Sequence, residues 1–234
     1  MKKLILLLGI LACICNNIKA QKSDLNFSIG TDVVSTYVWR GTYQAGASFQ
    51  PTMSFSLGNF SLSAWGSTAM FNDHKEVDLI LGYSNDNLAV AITDYWWTGE
   101  DGNPMKYFHY DDLTPHLWEA SVGYNLETVS FPLSLSLGVI FAGNDNKKED
   151  GKNCYSTYIE ATVPFSINNF DMNASVGFTP GQGLYSATRA AVCNISLRVN
   201  REIKITDSFS LPVFGQLILN PQKQDPFFVF GFTL

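Results

Sequence analysis

Apolar and polar side chains alternate with a period of two along most of this chain, and that period belongs to extended strands rather than helices. Phe131, Leu133, Leu135, Leu137, Val139 and Phe141 give the cleanest run. The first strand reads from about Leu25 to Arg40, with Leu25, Phe27, Ile29, Val33, Tyr37 and Trp39 on one face. Further runs cover Phe49–Leu57, Phe60–Met70, Val77–Tyr83, Leu88–Ile92, Trp118–Tyr124, Ile159–Phe165, Phe170–Phe178, Cys193–Ile205 and Phe209–Leu219. With a closing strand this makes about twelve, an even number suited to an up-and-down barrel. Asp94 shares the parity of Leu88, Val90 and Ile92, so its strand has an ambiguous outer face and invites a bulge.

The closing strand is FFVFGFTL, with Phe228, Phe230, Phe232 and Leu234 on one side. An exposed aromatic edge in water is an aggregation hazard. Pairing with the first strand removes the edge, and lipid supplies a solvent for the Phe face. The segment resembles the terminal signal of bacterial outer-membrane barrels, with Leu in place of a final Phe. The competing reading is a buried last strand of a soluble sandwich.

Residues 1–20 read as a cleavable signal peptide, with Lys2 and Lys3 ahead of an apolar run, Leu4 to Ile14, too short to span a bilayer. Leu11-Ala12-Cys13 offers a rival lipoprotein reading, with Cys13 acylated. Residues 21–234 then form one barrel domain. Beyond the leader, nothing approaches the ~18 consecutive apolar residues of a membrane helix. Hydrophobic residues make up 46% and charged residues 15%, yet mean hydropathy is only +0.02, so apolar residues are finely interleaved with polar ones. A net charge of −6 argues against a nucleic-acid partner.

Connections alternate short and long. Gly58-Asn59, Asn85 to Asn87, Asn168-Asn169 and Asp207-Ser208 are tight, whereas Gly41 to Ser48, Thr98 to His116, Gly143 to Asn153 and Pro180 to Ala187 are extended. That asymmetry matches periplasmic turns and extracellular loops. Aromatic residues gather at strand ends, among them Tyr37, Trp39, Trp96, Trp97 and Trp118, as a membrane–water boundary favours. Twelve strands enclose too wide a space for one layer of inward apolar side chains. The expected fold is therefore an all-β, transmembrane, antiparallel barrel in a bacterial outer membrane. Lipid and the barrel assembly machinery are its partners, and the oligomeric state stays open.

Val33-Val34-Ser35-Thr36-Tyr37-Val38-Trp39-Arg40-Gly41, then Gln44 and Gln50-Pro51, resembles the opening motif of the TorF family of porins. Val77-Asp78-Leu79 with Gly82-Tyr83-Ser84 is similar to that family's second recurrent stretch. The resemblance implies a small outer-membrane barrel that passes solutes, and carries over no catalytic residue.

On the inward parity lie Asp32, Arg40, Asp78, Glu119, Glu160, Asp171, Arg198, Glu202 and Lys204. A water-filled lumen tolerates such groups, whereas facing lipid an Arg or Lys costs about 2–4 kcal/mol near the midplane and an Asp or Glu less. They are candidates to line a pore for small polar solutes, weakly preferring cations because acids outnumber bases. They are equally able to pair and plug a narrow interior. Other readings are a non-conducting barrel serving an envelope complex, a surface-binding protein and, least favoured, a lipid hydrolase. The last needs a serine beside an oriented histidine, and His74, His109 and His116 all fall in loops outside any hydrolase motif. Glu100, Asp101, Asp111 and Asp112 carry carboxylates on one loop but match no calcium-binding spacing. No cofactor or metal is expected. Cys154 and Cys193 read as free thiols, Cys193 facing outward as a small apolar residue.

Overall fold

The computed structural model describes residues 25–98, 106–110, 114–126, 132–186 and 188–234. The leader reading, Phe131 and the acidic residues of the 98–116 loop lie outside them. Where the alternation predicts strands, the chain forms β1 (Leu25–Val34), β4 (Ser48–Leu57), β5 (Phe60–Ala69), β6 (Lys75–Ser84), β7 (Leu88–Trp97) and β8 (Leu117–Leu126). The series continues with β9 (Leu133–Gly143), β10 (Thr157–Ile167), β11 (Phe170–Thr179), β12 (Ala191–Lys204), β13 (Ser210–Asn220) and β14 (Asp225–Thr233). These strands close into an antiparallel up-and-down barrel in the order β1-β14-β13-β12-β11-β10-β9-β8-β7-β6-β5-β4.

Period two sorts the wall into two faces. Outside stand Ile29, Leu62, Leu81, Ile92, Leu197, Phe228 and Phe230, Ile29 being 76% and Phe228 72% exposed. Inside stand hydroxyls and small residues: Ser54 bonds Ser63 at 2.7 Å, and Thr162 bonds Ser175 at 2.8 Å. This is a membrane barrel's polarity, apolar out and polar in.

The seam between first and last strands is short. Asp32, Val33 and Val34 pair with Thr233, Phe232 and Gly231, and Thr31 and Leu234 exchange both backbone bonds. Gly231 lets the two strands approach, because a Cβ there would lie 2.6 Å from the Val33 carbonyl oxygen and 2.7 Å from the Phe214 ring.

Three expectations need correction. The first strand stops at Val34 rather than Arg40. Residues after it form a separate two-stranded sheet, β2 (Tyr37–Trp39) and β3 (Thr42–Ala45). Tyr37 is buried against Trp65 and His74 rather than placed at a lipid boundary, and Trp39 likewise packs inside against Tyr95 and Tyr185. Cys193 turns inward, because the β11–β12 register shifts beside it and withdraws it from the outer face. It is fully buried with Tyr158 and Tyr185, and both Cys193 and Cys154 are free thiols.

Asp94 does face outward, and no bulge interrupts its ladders to Leu79 and Trp118. The register shift lies next door, between Trp118 and Glu119. The following loop folds back over the outer wall, placing His116 Nδ1 2.7 Å from Asp94 Oδ1. His116 Nε2 donates to the Tyr107 carbonyl at 2.6 Å, which leaves Nδ1 facing the Asp94 carboxylate. Tyr110 and Trp118 stack beside the ring. A charge that would face lipid is thus paired and covered.

Replacing Gly231 by Ala should lower barrel stability by about 1–3 kcal/mol through overpacking at the seam. Gly215→Ala, whose Cβ would meet nothing nearer than Phe228 at 3.9 Å, should cost none. Urea unfolding of refolded protein in vesicles measures the difference, and equal stability for the two variants would refute the tight seam.

Candidate functional site

Arg40 organises the barrel's mouth at the long-loop end. It and Gly41 form the two-residue turn between β2 and β3, with φ of 50° and 77°. Positive φ at both central positions is the hairpin turn whose twist suits the strands, normally built from Asn-Gly or Gly-Gly. An arginine there carries a backbone penalty of about 1–2 kcal/mol. What offsets it is the side chain.

The hairpin leaves β1, crosses the mouth and puts Arg40 against the opposite wall. Nη2 donates to Glu119 Oε1 at 2.8 Å and Nη1 to Oε2 at 2.5 Å, a bidentate fork. Nη1 also donates to the Tyr185 hydroxyl. The guanidinium carbon lies 4.7 Å from the Trp39 ring centre, 4.6 Å from Tyr158 and 5.5 Å from Tyr185, all within cation–π range. Burial works against the charge of Arg40, but the Glu119 hydrogen bond and neighbouring groups outweigh it and raise its pKa.

The surroundings hold each partner. Glu119 is 2% exposed, and its Oε1 also accepts from Tyr95 at 3.2 Å. Gly138 leaves room for that carboxylate, since a Cβ would come within 2.7 Å of it. Tyr185 sits on a loop fastened by Asp145: the Asp145 carboxylate accepts from the Ser156 amide and hydroxyl, and Ser156 Oγ accepts from the Leu184 amide. Burial raises the Tyr185 phenol, keeping it neutral. Tyr158 donates to Glu160, which also accepts from Asn194 at 3.0 Å.

Behind the tip, Gly41 presses on β12, where a Cβ would lie 2.0 Å from the Cys193 carbonyl oxygen, and Asn220 Nδ2 donates to the Gly41 carbonyl at 2.9 Å. At the root, Tyr37 lies over Glu76 and Asp78; burial first, then these two carboxylates, raises its phenol. Trp97 faces this interior as well, packed with the Tyr95–Leu117–Ile140 cluster, while Trp96 faces out beneath Tyr107. Beneath the tip a cavity of about 440 Å³ runs toward the short-turn end, with Arg40, Thr93, Tyr95 and Glu119 at its head and Ser61, Gly82, Ser121 and Ser136 along its wall.

The predicted inward charges therefore divide. Arg40, Glu119 and Glu160 meet in one network with Tyr95, Tyr158, Tyr185 and Asn194. Asp78 stands at the hairpin root, one of its oxygens buried without a partner. Asp32 accepts from Thr233, Asp171 from Ser166, and Lys204 pairs with Asp207 at an exposed turn. Arg198 and Glu202 border a second, smaller lumenal recess, with Arg198 stacked over Phe214 at 3.6 Å. Glu76, Tyr158 and Tyr185 escape the sequence reading, while Tyr95, expected with the strand-end aromatics at a membrane–water boundary, is buried inside against Leu117 and Ile140. Glu76 shares the parity of Asp78 and is recoverable by extending that alternation one step, whereas Tyr185 lies in a loop and carries no such signal. Among the described residues no group of three or more His, Cys, Asp or Glu is arranged to hold a metal.

Fold and site together define a small closed β-barrel, compatible with an outer membrane, whose mouth is crossed by an internal hairpin. The chain belongs to a family of bacterial proteins of unknown function, Gcw_chp, whose model matches residues 19–201. No curated protein matches it.

Gly41→Ala adds a methyl where the Cys193 carbonyl stands and where φ is left-handed, so the tip should lose about 1–3 kcal/mol of seating. Trypsin should then cut after Arg40 while the barrel keeps its heat-modifiable migration. Protection of Arg40 equal to that of the unsubstituted protein would show that the tip is not held there.

Proposed function

We propose that the protein is an outer-membrane, porin-like channel for small polar solutes, closed by the β2–β3 hairpin and opened when that hairpin leaves the mouth. The carrying observation is the hairpin itself. It belongs to no ladder of the barrel, and a cavity lined in part by serine and threonine hydroxyls reaches its tip from the other end. The resemblance of residues 32–84 to the TorF porins supports the reading, since its opening motif runs through the hairpin. In this reading the long loops lie outside the cell and the Phe-rich exterior contacts lipid. The rival reading, a barrel that does not conduct and serves an envelope partner, draws on the same closed mouth.

Val34 and Ser48 are direct partners across β1 and β4, so a two-residue Asn-Gly turn can replace 35–47 without shifting register. In planar bilayers the unsubstituted protein should show rare or small openings, and the hairpin-less barrel steady conductance. A hairpin-less barrel that is folded by heat-modifiable migration yet silent would favour the non-conducting reading.

The open channel should prefer cations modestly. Glu76 and Asp78 are buried at the mouth beneath Tyr37, with His74 3.6 Å from Glu76 and, among the described residues, no Lys or Arg paired with either. Removing Arg40 with the hairpin also leaves Glu119 without its cationic partner. Such a lumen concentrates cations, less so at physiological salt where the Debye length is ~8 Å. Reversal potentials of the hairpin-less barrel in a salt gradient should be cation-selective at low salt. Chloride preference would show that these acids do not line the water path.

A further inference from the structure

The pocket that receives Arg40 has the makings of a ligand site in its own right. Once the hairpin is set aside, the barrel and its loops still hold a carboxylate, Glu119, oriented by the Tyr95 hydroxyl and supported against Gly138. They also hold two aromatic faces, Tyr158 and Tyr185, at 4.6 and 5.5 Å from where a planar cation sits. A phenol oxygen stands ready to accept a further N–H. Paired carboxylate oxygens favour a forked donor, and flanking ring faces favour a delocalised or weakly hydrated cation. Metal ions are a poor match, for the pocket offers one carboxylate and phenols only.

The occupant enters at a conformational penalty. Arg40 takes a left-handed backbone conformation that Gly or Asn adopts more cheaply, and it sits at the free end of a hairpin with no ladder to the wall. Its guanidinium also forms the roof of the 440 Å³ cavity, so a solute rising through the lumen meets the pocket directly. Glu119, 2% exposed, makes an empty pocket unfavourable, because withdrawal of Arg40 strands a buried charge. Departure of the hairpin is therefore easiest when another cation takes its place.

From this geometry we infer that Glu119, Tyr95, Tyr158 and Tyr185 form a binding site for small organic cations of guanidinium type, and that Arg40 fills it as an intramolecular ligand. A free guanidinium solute displaces Arg40 and releases the hairpin. The binding site stands independently of transport; the opening it triggers rests on the channel reading above.

The test is chemical complementation. Arg40→Ala removes the ligand but leaves the cage, and propylguanidinium supplies the missing guanidinium on a stem one methylene longer than the one lost. Titration calorimetry of the refolded, detergent-solubilised barrel should show saturable propylguanidinium binding to Arg40→Ala. In the unsubstituted protein binding should be about tenfold weaker or more, because the tethered Arg40 competes at an effective concentration in the millimolar range. Urea, the same shape without charge, should not bind Arg40→Ala, and adding Glu119→Gln to that variant should abolish propylguanidinium binding. Circular dichroism and heat-modifiable migration confirm that each variant is folded. Equal binding to Arg40→Ala with and without Glu119→Gln, or none beyond that of urea, overturns the site. Conductance separates the two readings. Binding without any channel opening keeps the site and removes the channel, whereas a conducting Arg40→Ala barrel that binds no propylguanidinium keeps the channel and removes the site.

Discussion

Closure of the backbone ladder is the constraint on which everything else depends. An unpaired N–H or C=O within an apolar layer costs several kcal/mol, so a sheet crossing lipid has to return to its own first strand. Here the return rests on a short register, Asp32 to Val34 against Gly231 to Thr233, extended by the Thr31–Leu234 exchange and by Ser35, whose amide donates to the Phe230 carbonyl. The whole length of β1 pairs with β4 on its other side. The barrel is thus firmest around its long hairpins and narrowest in pairing where its ends meet, which is why a single glycine there matters.

With the wall satisfied by its own bonds, the interior is free to carry polar chemistry. Arg40 uses that freedom. Local preference would put Asn or Gly at its turn position, and departures from local preference cluster where function requires them. The departure here is matched by a bidentate ion pair, three ring faces and a phenol, and apart from the adjacent Trp39 ring these come from elements distant in sequence. Glu119 lies 79 residues away and Tyr185 lies 145. The seating of the tip is therefore a tertiary property that no segment contains alone.

That separation explains what could be read in advance. The twelve wall strands were legible because a membrane barrel repeats one rule, out and in, at each residue of each strand. The rule describes side-chain parity only, and says nothing of whether a run stays in the wall. Tyr37 and Trp39 keep the parity of Val33 through Ser35, so the alternation reads smoothly across a point where the chain leaves the sheet. The Arg40-Gly41 turn that reverses it has no Asn-Gly signature. Cys193 misleads in another way: a one-residue register shift between Gly177 and Phe178 reverses its face. Tyr185 and His116 gain their roles from loops that fold onto the wall, and periodicity does not extend to loops.

Both ends of that loop behaviour obey the same electrostatics. Asp94 on the outer face and Glu119 on the inner face are each carboxylates in places that water does not freely reach, and each is met by a cationic or proton-bearing group brought in by a loop. The two pairings differ in what holds the partner. His116 immediately precedes β8 and is clasped by Tyr107, Tyr110 and Trp118, so it is anchored to the wall it serves. Arg40 is anchored through its own contacts, the Gly41 packing on β12 with the bond from Asn220, and the Tyr37 packing at the root. Separating it from Glu119 breaks no strand pair of the barrel, and its energetic penalty is the desolvated charge left behind. A tip seated by side-chain contacts and one backbone bond, across a wall secured by continuous hydrogen bonding, can leave its seat without any strand pair of the barrel breaking.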